Sequence, residues 1–179
     1  SLSTLIKLSN VVDSKRLKEC VSKLVADYDI FRTAYHFLEG GYVQEILPDR
    51  PPIIYEESVS FDQINNWAQF CSRKTHNLEK GEVIYFYVSK DPVSFDVYLL
   101  IVVHHVCCDF FSLQLILQEL QHNYFKPDPE GNVKFYDISH YKQVVLEEAR
   151  FKKTKEFSNA VRFWGNQIHN HVTTVTLKT

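Results

Sequence analysis

The chain has no methionine, only two tryptophans, five glycines and six prolines, and no segment where charge of one sign accumulates. Its 20 basic and 22 acidic residues leave a formal charge of −2. That balance excludes the basic field by which a protein gathers nucleic acid or an anionic membrane surface. Missing too is any run near the ~18 consecutive apolar residues of a membrane helix. The opening SLSTLIKLSN lacks the charged start and long apolar centre of a secretory signal, so a cytoplasmic protein is expected. Cysteines are few: Cys20, Cys71, Cys107 and Cys108. A chain of this length needs no stapling and neighbours in sequence rarely pair, so the thiols are expected to be reduced. With no initiator methionine and an end on VTTVTLKT, the sequence reads as a piece of a longer protein. What is present is apolar: 45% of 179 residues, 14% aromatic, enough for one sizeable core and for one domain or half of a larger one.

Periodicity sketches the elements. Leu5 to Leu8 reads as a strand, and Asp13 as the N-cap of a helix to about Tyr28 with Leu17, Val21, Leu24 and Val25 on one face. FRTAYHF (31–37) and YVQEIL (42–47) flank Glu39-Gly40-Gly41, a hairpin signal, and Pro48, Pro51 and Pro52 end the pairing. A helix is expected over 61–74, with Ile64, Trp67, Ala68 and Cys71 at helical spacing, followed by a second hairpin from 82–89 and 95–103 around Asp91-Pro92. The nearly all-apolar second strand belongs at the centre of a sheet, covered on both faces. An apolar helix over 111–125 and a long amphipathic helix or pair over 138–169 follow, with no repeat and no internal linker.

That central strand ends in HHVCCDFFS, residues 104–112. Adjacent histidines on a strand point to opposite sides, so one can face a pocket while the other is packed. Imidazole suits proton handling because its unperturbed pKa, about 6.5, lies near neutrality. The alternative is two ordinary strand residues satisfied by backbone. A zinc site from His104, His105, Cys107 and Cys108 is disfavoured because adjacent cysteines do not readily turn both sulfurs to one tetrahedral ion. A Cys–His nucleophile pair would need a positioned thiolate, and small packing residues are the simpler reading of both thiols.

His104 to Asp109 resembles the HHxxxDG signature of the condensation domains of nonribosomal peptide synthetases, members of the chloramphenicol acetyltransferase-like superfamily. LVADYDIFRTAYHF (24–37) resembles "RHExLRTxF" and THNLEKGEV (75–83) resembles "FDLxxGPL". FYDISHYKQ (135–143) resembles "YxDFAxW" through Phe135, Asp137 and Tyr141, and RFWGNQI resembles "yWxxqL". The likeness covers the N-terminal half of such a domain, without the leading "AQxRLW"-like segment or the C-terminal half.

The resemblance implies an α/β sandwich: a chloramphenicol acetyltransferase-like lobe, residues 1–179, whose mixed sheet is flanked by helices, with the C-terminal lobe absent. It implies transfer of an acyl group from one carrier-bound thioester to a carrier-bound amine, in a tunnel shared by two lobes. Substrates ride on the phosphopantetheine of peptidyl or acyl carrier proteins, and no cofactor or metal binds directly. Ester formation, or a scaffold without turnover, is the alternative. His105 is implied as the histidine of the transfer step and His104 as a packed support. Asp109 is expected to pair with Arg32 and fix the loop. Ser112 falls at the serine of "DGWS". Phe110 replaces the signature glycine, where a side chain disfavours positive φ and narrows the space beside His105. With Phe111 it is expected to belong to an exposed apolar inner face.

Overall fold

A computed structural model describes residues 1–8, 11–125 and 141–171, with side chains to residue 168. Its strands are β1 (Leu2–Leu8), β2 (Thr33–Leu38), β3 (Gly41–Ile46), β4 (Ile53–Ser58), β5 (Ile84–Lys90) and β6 (Val97–Val103). The helices are α1 (Ser14–Asp27), α2 (Ile64–Ser72), α3 (Phe110–Phe125), α4 (Tyr141–Phe151) and α5 (Lys155–His171). The chain divides into two compact units, residues 1–138 and 139–179.

All seven residues of β6 are buried, because the strand has neighbours on both edges and helices on both faces. It pairs antiparallel with β1 and β5, and β4 runs parallel to β5, giving the order β1-β6-β5-β4. Side chains alternate between faces. Val97, Leu99, Ile101 and Val103 join the cluster formed by α1 and α3, while Leu100 and Val102 pack with Tyr85, Tyr87 and Cys71 of the other side. Each such residue contributes about 1.5–3 kcal/mol by leaving water.

α1 begins where expected: the Asp13 carboxylate accepts from the backbone of Lys15 at 2.8 Å and of Arg16 at 3.4 Å. Leu17, Cys20, Val21, Leu24 and Val25 form its buried stripe, and Leu24→Ala would cost about 2–5 kcal/mol. The β2–β3 hairpin forms a separate two-stranded sheet, and its turn uses Gly40 at φ 101°.

β4 went unread from the sequence. It follows directly on Pro51 and Pro52, and among the described residues it is an edge strand whose only partner, β5, lies beyond α2. The βαβ unit β4–α2–β5 makes the sheet mixed, since parallel neighbours need a crossover. The helix expected over 61–74 is a 3-10 turn (Phe61–Gln63) followed by α2. Asp91 ties this region to the β5–β6 turn, accepting from the backbone nitrogens of Val93 at 2.7 Å, Ser94 at 2.8 Å and Phe61 at 2.6 Å.

The described residues of the second unit form a helix pair. Thr154 caps α5 by accepting from the Phe157 backbone at 3.2 Å, and the Phe151 and Phe157 rings meet edge-on at 5.7 Å. Phe135 and Asp137 of the "YxDFAxW" likeness lie outside the described residues.

Candidate active site

β6 delivers its last residue, Val103, to the sheet edge, and the next backbone nitrogen, that of His104, still donates to Val83 O at 2.8 Å. The chain then turns. The His104 carbonyl accepts from Cys107 N at 3.2 Å, and His104 Nδ1 accepts from Val106 N at 3.1 Å, so the ring braces its own turn. His104 is half-buried, and its pKa lies below the ordinary histidine value, chiefly through burial. His105, one residue on, is exposed and makes no side-chain hydrogen bond among the described residues. The two histidines thus divide into one packed and one outward, His105 standing in the turn that follows β6.

Cys107 and Cys108 face inward. The Cys107 thiol donates to His104 O at 3.3 Å, and the Cys108 thiol to Asp109 O at 3.3 Å. Burial pushes their pKa values up to about 12 and about 11. Both are protonated at neutral pH, which removes the thiolate a Cys–His nucleophile pair requires. Among the described residues no group of three or more His, Cys, Asp or Glu is arranged to hold a metal ion. Cys107 and Ser112 border a mainly apolar cavity of about 210 Å³ with Leu24, Tyr28, Phe31 and Ile116.

The expected pairing of Asp109 with Arg32 is not formed. Asp109 is the N-cap of α3: its Oδ1 accepts from both the backbone nitrogen and the hydroxyl of Ser112, each at 2.7 Å. The same two donors, backbone first, hold its carboxyl below the usual range. Arg32 is 9% exposed and spends its guanidinium elsewhere. Nε donates to Val25 O, Nη1 to Leu47 O and Pro48 O, and Nη2 to Ala26 O and to Asp29 Oδ1 at 2.7 Å. A guanidinium has five N–H donors, and all are committed. Arg32 closes the C-terminus of α1, whose last carbonyls have no partner within the helix, and fastens it to the chain leaving β3.

Phe110 is the first residue of α3, and among the described residues only Phe95, at φ 61°, is a non-glycine with positive φ. The backbone here does not require glycine. The Phe110 and Phe111 rings are 64% and 74% exposed and meet edge-on at 6.3 Å, extending an apolar surface from the motif.

The sequence reading passed over His76. Its ring lies 5.4 Å from that of His104 at 76° and stacks on Tyr85 at 4.7 Å. The signal was a histidine at the phenylalanine position of the "FDLxxGPL"-like stretch.

The mixed sheet flanked by helices is the architecture of the chloramphenicol acetyltransferase-like fold. A variant of the starter condensation domain of rhizomide synthetase superimposes with a TM-score of 0.83 at 13% identity, over 97% of this chain and 43% of that one. The epimerization domain from the third module of tyrocidine synthetase B reaches 0.80 at 16% identity, over 98% and 41%. The condensation domain family model matches residues 1–179, and the chain belongs to that family. A linear gramicidin synthase of Brevibacillus parabrevis is 28% identical over 186 residues, covering 96% of this chain and 4% of that protein. The chain therefore spans under half of each of these structures and a small part of the synthase. No helix among the described residues is long and apolar enough to cross a membrane.

Proposed function

We propose that the chain is the N-terminal lobe of a condensation domain that joins a carrier-bound acyl or aminoacyl thioester to a carrier-bound amine. In this reading the amine nitrogen attacks the thioester carbonyl, the C–N bond forms, the C–S bond breaks, and the donor carrier leaves as a free thiol. His105 orients the amine and takes its proton, which passes on to the departing sulfur. His104, Asp109 and Arg32 support it, His104 by bracing the turn, Asp109 by starting α3 and Arg32 by closing α1. The substrates arrive on phosphopantetheine arms of partner carrier proteins in a cytoplasmic assembly line, and the C-terminal lobe supplies the facing wall of the tunnel. Two tethered reactants held about 3–3.5 Å apart already have much of the barrier removed.

One observation carries this reading. Of the polar side chains from His104 to Ser112, His105 alone is outward and uncommitted, the rest being spent on local structure. The test is His105→Ala in the intact condensation domain with loaded carriers, reading product by mass spectrometry. A loss of about 100-fold or more is expected, the usual contribution of a positioned acid–base group, and near-wild-type turnover would overturn the role. Phe110 in place of the signature glycine supports a second reading, a partner-recruiting scaffold without turnover. Absence of transfer by the unmodified domain, with both carriers still bound, would favour it. An ester product would identify a hydroxyl acceptor.

A further inference from the structure

α3 is mostly apolar, yet it buries two polar side chains, Glu119 and Asn123. Ser112, Leu115, Ile116, Glu119 and Asn123 recur at the three- and four-residue spacing of one helical face. All of these except Asn123 border the cavity of about 210 Å³, whose other wall is the end of α1 and the 3-10 turn Asp29–Arg32 that follows it.

Glu119 is 4% exposed and Asn123 8%. The Asn123 amide donates to Glu119 Oε1 at 3.1 Å. Glu119 Oε2 is buried without a hydrogen-bond partner, and among the described residues no cation pairs with this carboxylate. A carboxylate removed from water calls for a counter-charge and hydrogen bonds to both oxygens. The neighbouring groups supply neither. Arg32, on the same 3-10 turn as Ile30 and Phe31, has its donors committed to Val25 O, Ala26 O, Leu47 O, Pro48 O and Asp29. The Cys107 thiol donates to His104 O and the Ser112 hydroxyl to Asp109 Oδ1.

The rest of the wall is mainly apolar, from Leu24, Ile30, Phe31, Leu115 and Ile116. An apolar cavity of about 150 Å³ lined by leucine, isoleucine and phenylalanine takes up benzene. The larger volume here therefore has room for a six-membered ring, or an alkyl group of that bulk, with one polar group attached. Such walls suit an apolar body, and the unspent oxygen suits an N–H donor, best a charged one. A ligand bearing a carboxylate or phosphate would meet Glu119 as a like charge. The terminal torsion of glutamate is broad, so the carboxylate can turn Oε2 toward a bound ligand without leaving its rotamer.

We propose that the cavity between α1 and α3 is a binding site for a small primary ammonium ion carried on an apolar body of about benzyl size, with Glu119 as its counter-ion. Asn123 is a positioning residue, which holds Oε1 and leaves Oε2 to the ligand. The site shares Cys107 and Ser112 with the histidine turn but makes no use of His105, so it stands whether or not His105 serves acyl transfer.

The test is titration of the 15N-labelled 179-residue chain with benzylammonium chloride and, separately, with benzyl alcohol, a neutral probe of nearly the same shape, following backbone amides by NMR. Benzylammonium should give saturable shifts centred on Leu24, Ile116 and Glu119, with a Kd of about 1 mM or tighter, in keeping with its few heavy atoms. It should bind about tenfold more tightly than benzyl alcohol, the margin of one charge-assisted hydrogen bond. Glu119→Gln keeps the shape and an acceptor for Asn123 but removes the charge. It should lose that margin and bind benzyl alcohol as before. Equal affinity for the two probes, undiminished benzylammonium binding by Glu119→Gln, or shifts that never saturate, as a cavity holding water alone would give, would each overturn the proposal. Comparison of the two probes on the unmodified chain decides the matter even if Glu119→Gln does not fold. The readout is binding alone, so failure of the acyl-transfer reading would leave the result standing.

Discussion

One carboxylate oxygen, Asp109 Oδ1, serves both the backbone nitrogen and the hydroxyl of Ser112 at 2.7 Å, and this bond joins the histidine turn to the helix behind it. Asp109→Ala should lower the thermal midpoint by a few degrees through loss of the cap, and Asp109→Asn, itself a good cap, should recover most of it. The carboxyl's folded pKa is depressed by the Ser112 backbone first and its hydroxyl second. Its contribution is therefore complete above the unfolded value of about 3.9 and lost as pH falls from there through the folded pKa. An unchanged midpoint for Asp109→Ala at neutral pH would remove the capping role.

Arg32 and Asp109 should act independently. Arg32→Ala should cost about 3–5 kcal/mol in urea unfolding, because it strands Asp29 and the carbonyls that the guanidinium serves. Arg32→Lys should recover little, since an ammonium cannot reproduce the fork. In a double-mutant cycle the effects of Arg32→Ala and Asp109→Ala should add. Coupling beyond experimental error would show that the two residues do interact.

The four thiols should be slow to alkylate. All have raised pKa values with burial as the first cause, Cys107 and Cys108 reaching about 12 and about 11. Iodoacetamide at pH 7 should label the unfolded chain fully before it labels any one cysteine of the native chain substantially. Rapid, selective labelling of Cys107 would reveal the thiolate that the structure excludes.

Stability should decline under mild acid. His76 and His104 have folded pKa values below the unfolded one, so the unfolded chain binds protons first as pH falls. The stability they support is complete above the unfolded value of about 6.5 and is lost progressively as pH drops from there toward the folded values. Urea midpoints at pH 7.5 and pH 5.5 check this. The difference should shrink in His76→Phe, and an increase in stability toward acid would refute the sign.

What was legible in advance was what local pattern and a short signature can carry. Apolar spacing marked α1, apolar runs marked α3 and the buried β6, and Asp13 and Gly40 marked a helix start and a turn by chemistry confined to their own neighbours. The histidine pair could be placed at the end of β6, but strand alternation does not account for the outward His105, which stands in the turn after the strand. β4 was not legible, because an edge strand after prolines owes its existence to β5, some thirty residues later, with α2 between them.

Sequence by itself determined the apolar framework and the family, since burial periodicity and motif spacing are properties of the chain. Tertiary structure decided who pairs with whom. Arg32 and Asp109 are opposite charges in matching signature positions, yet fixed reach and direction of their hydrogen bonds send Arg32 to the open carbonyls of α1 and Asp109 to the open nitrogens of α3. His76 shows the same dependence. Its proximity to His104 arises only when the loop before β5 folds beside the end of β6, and no spacing along the chain encodes a contact between residues so far apart.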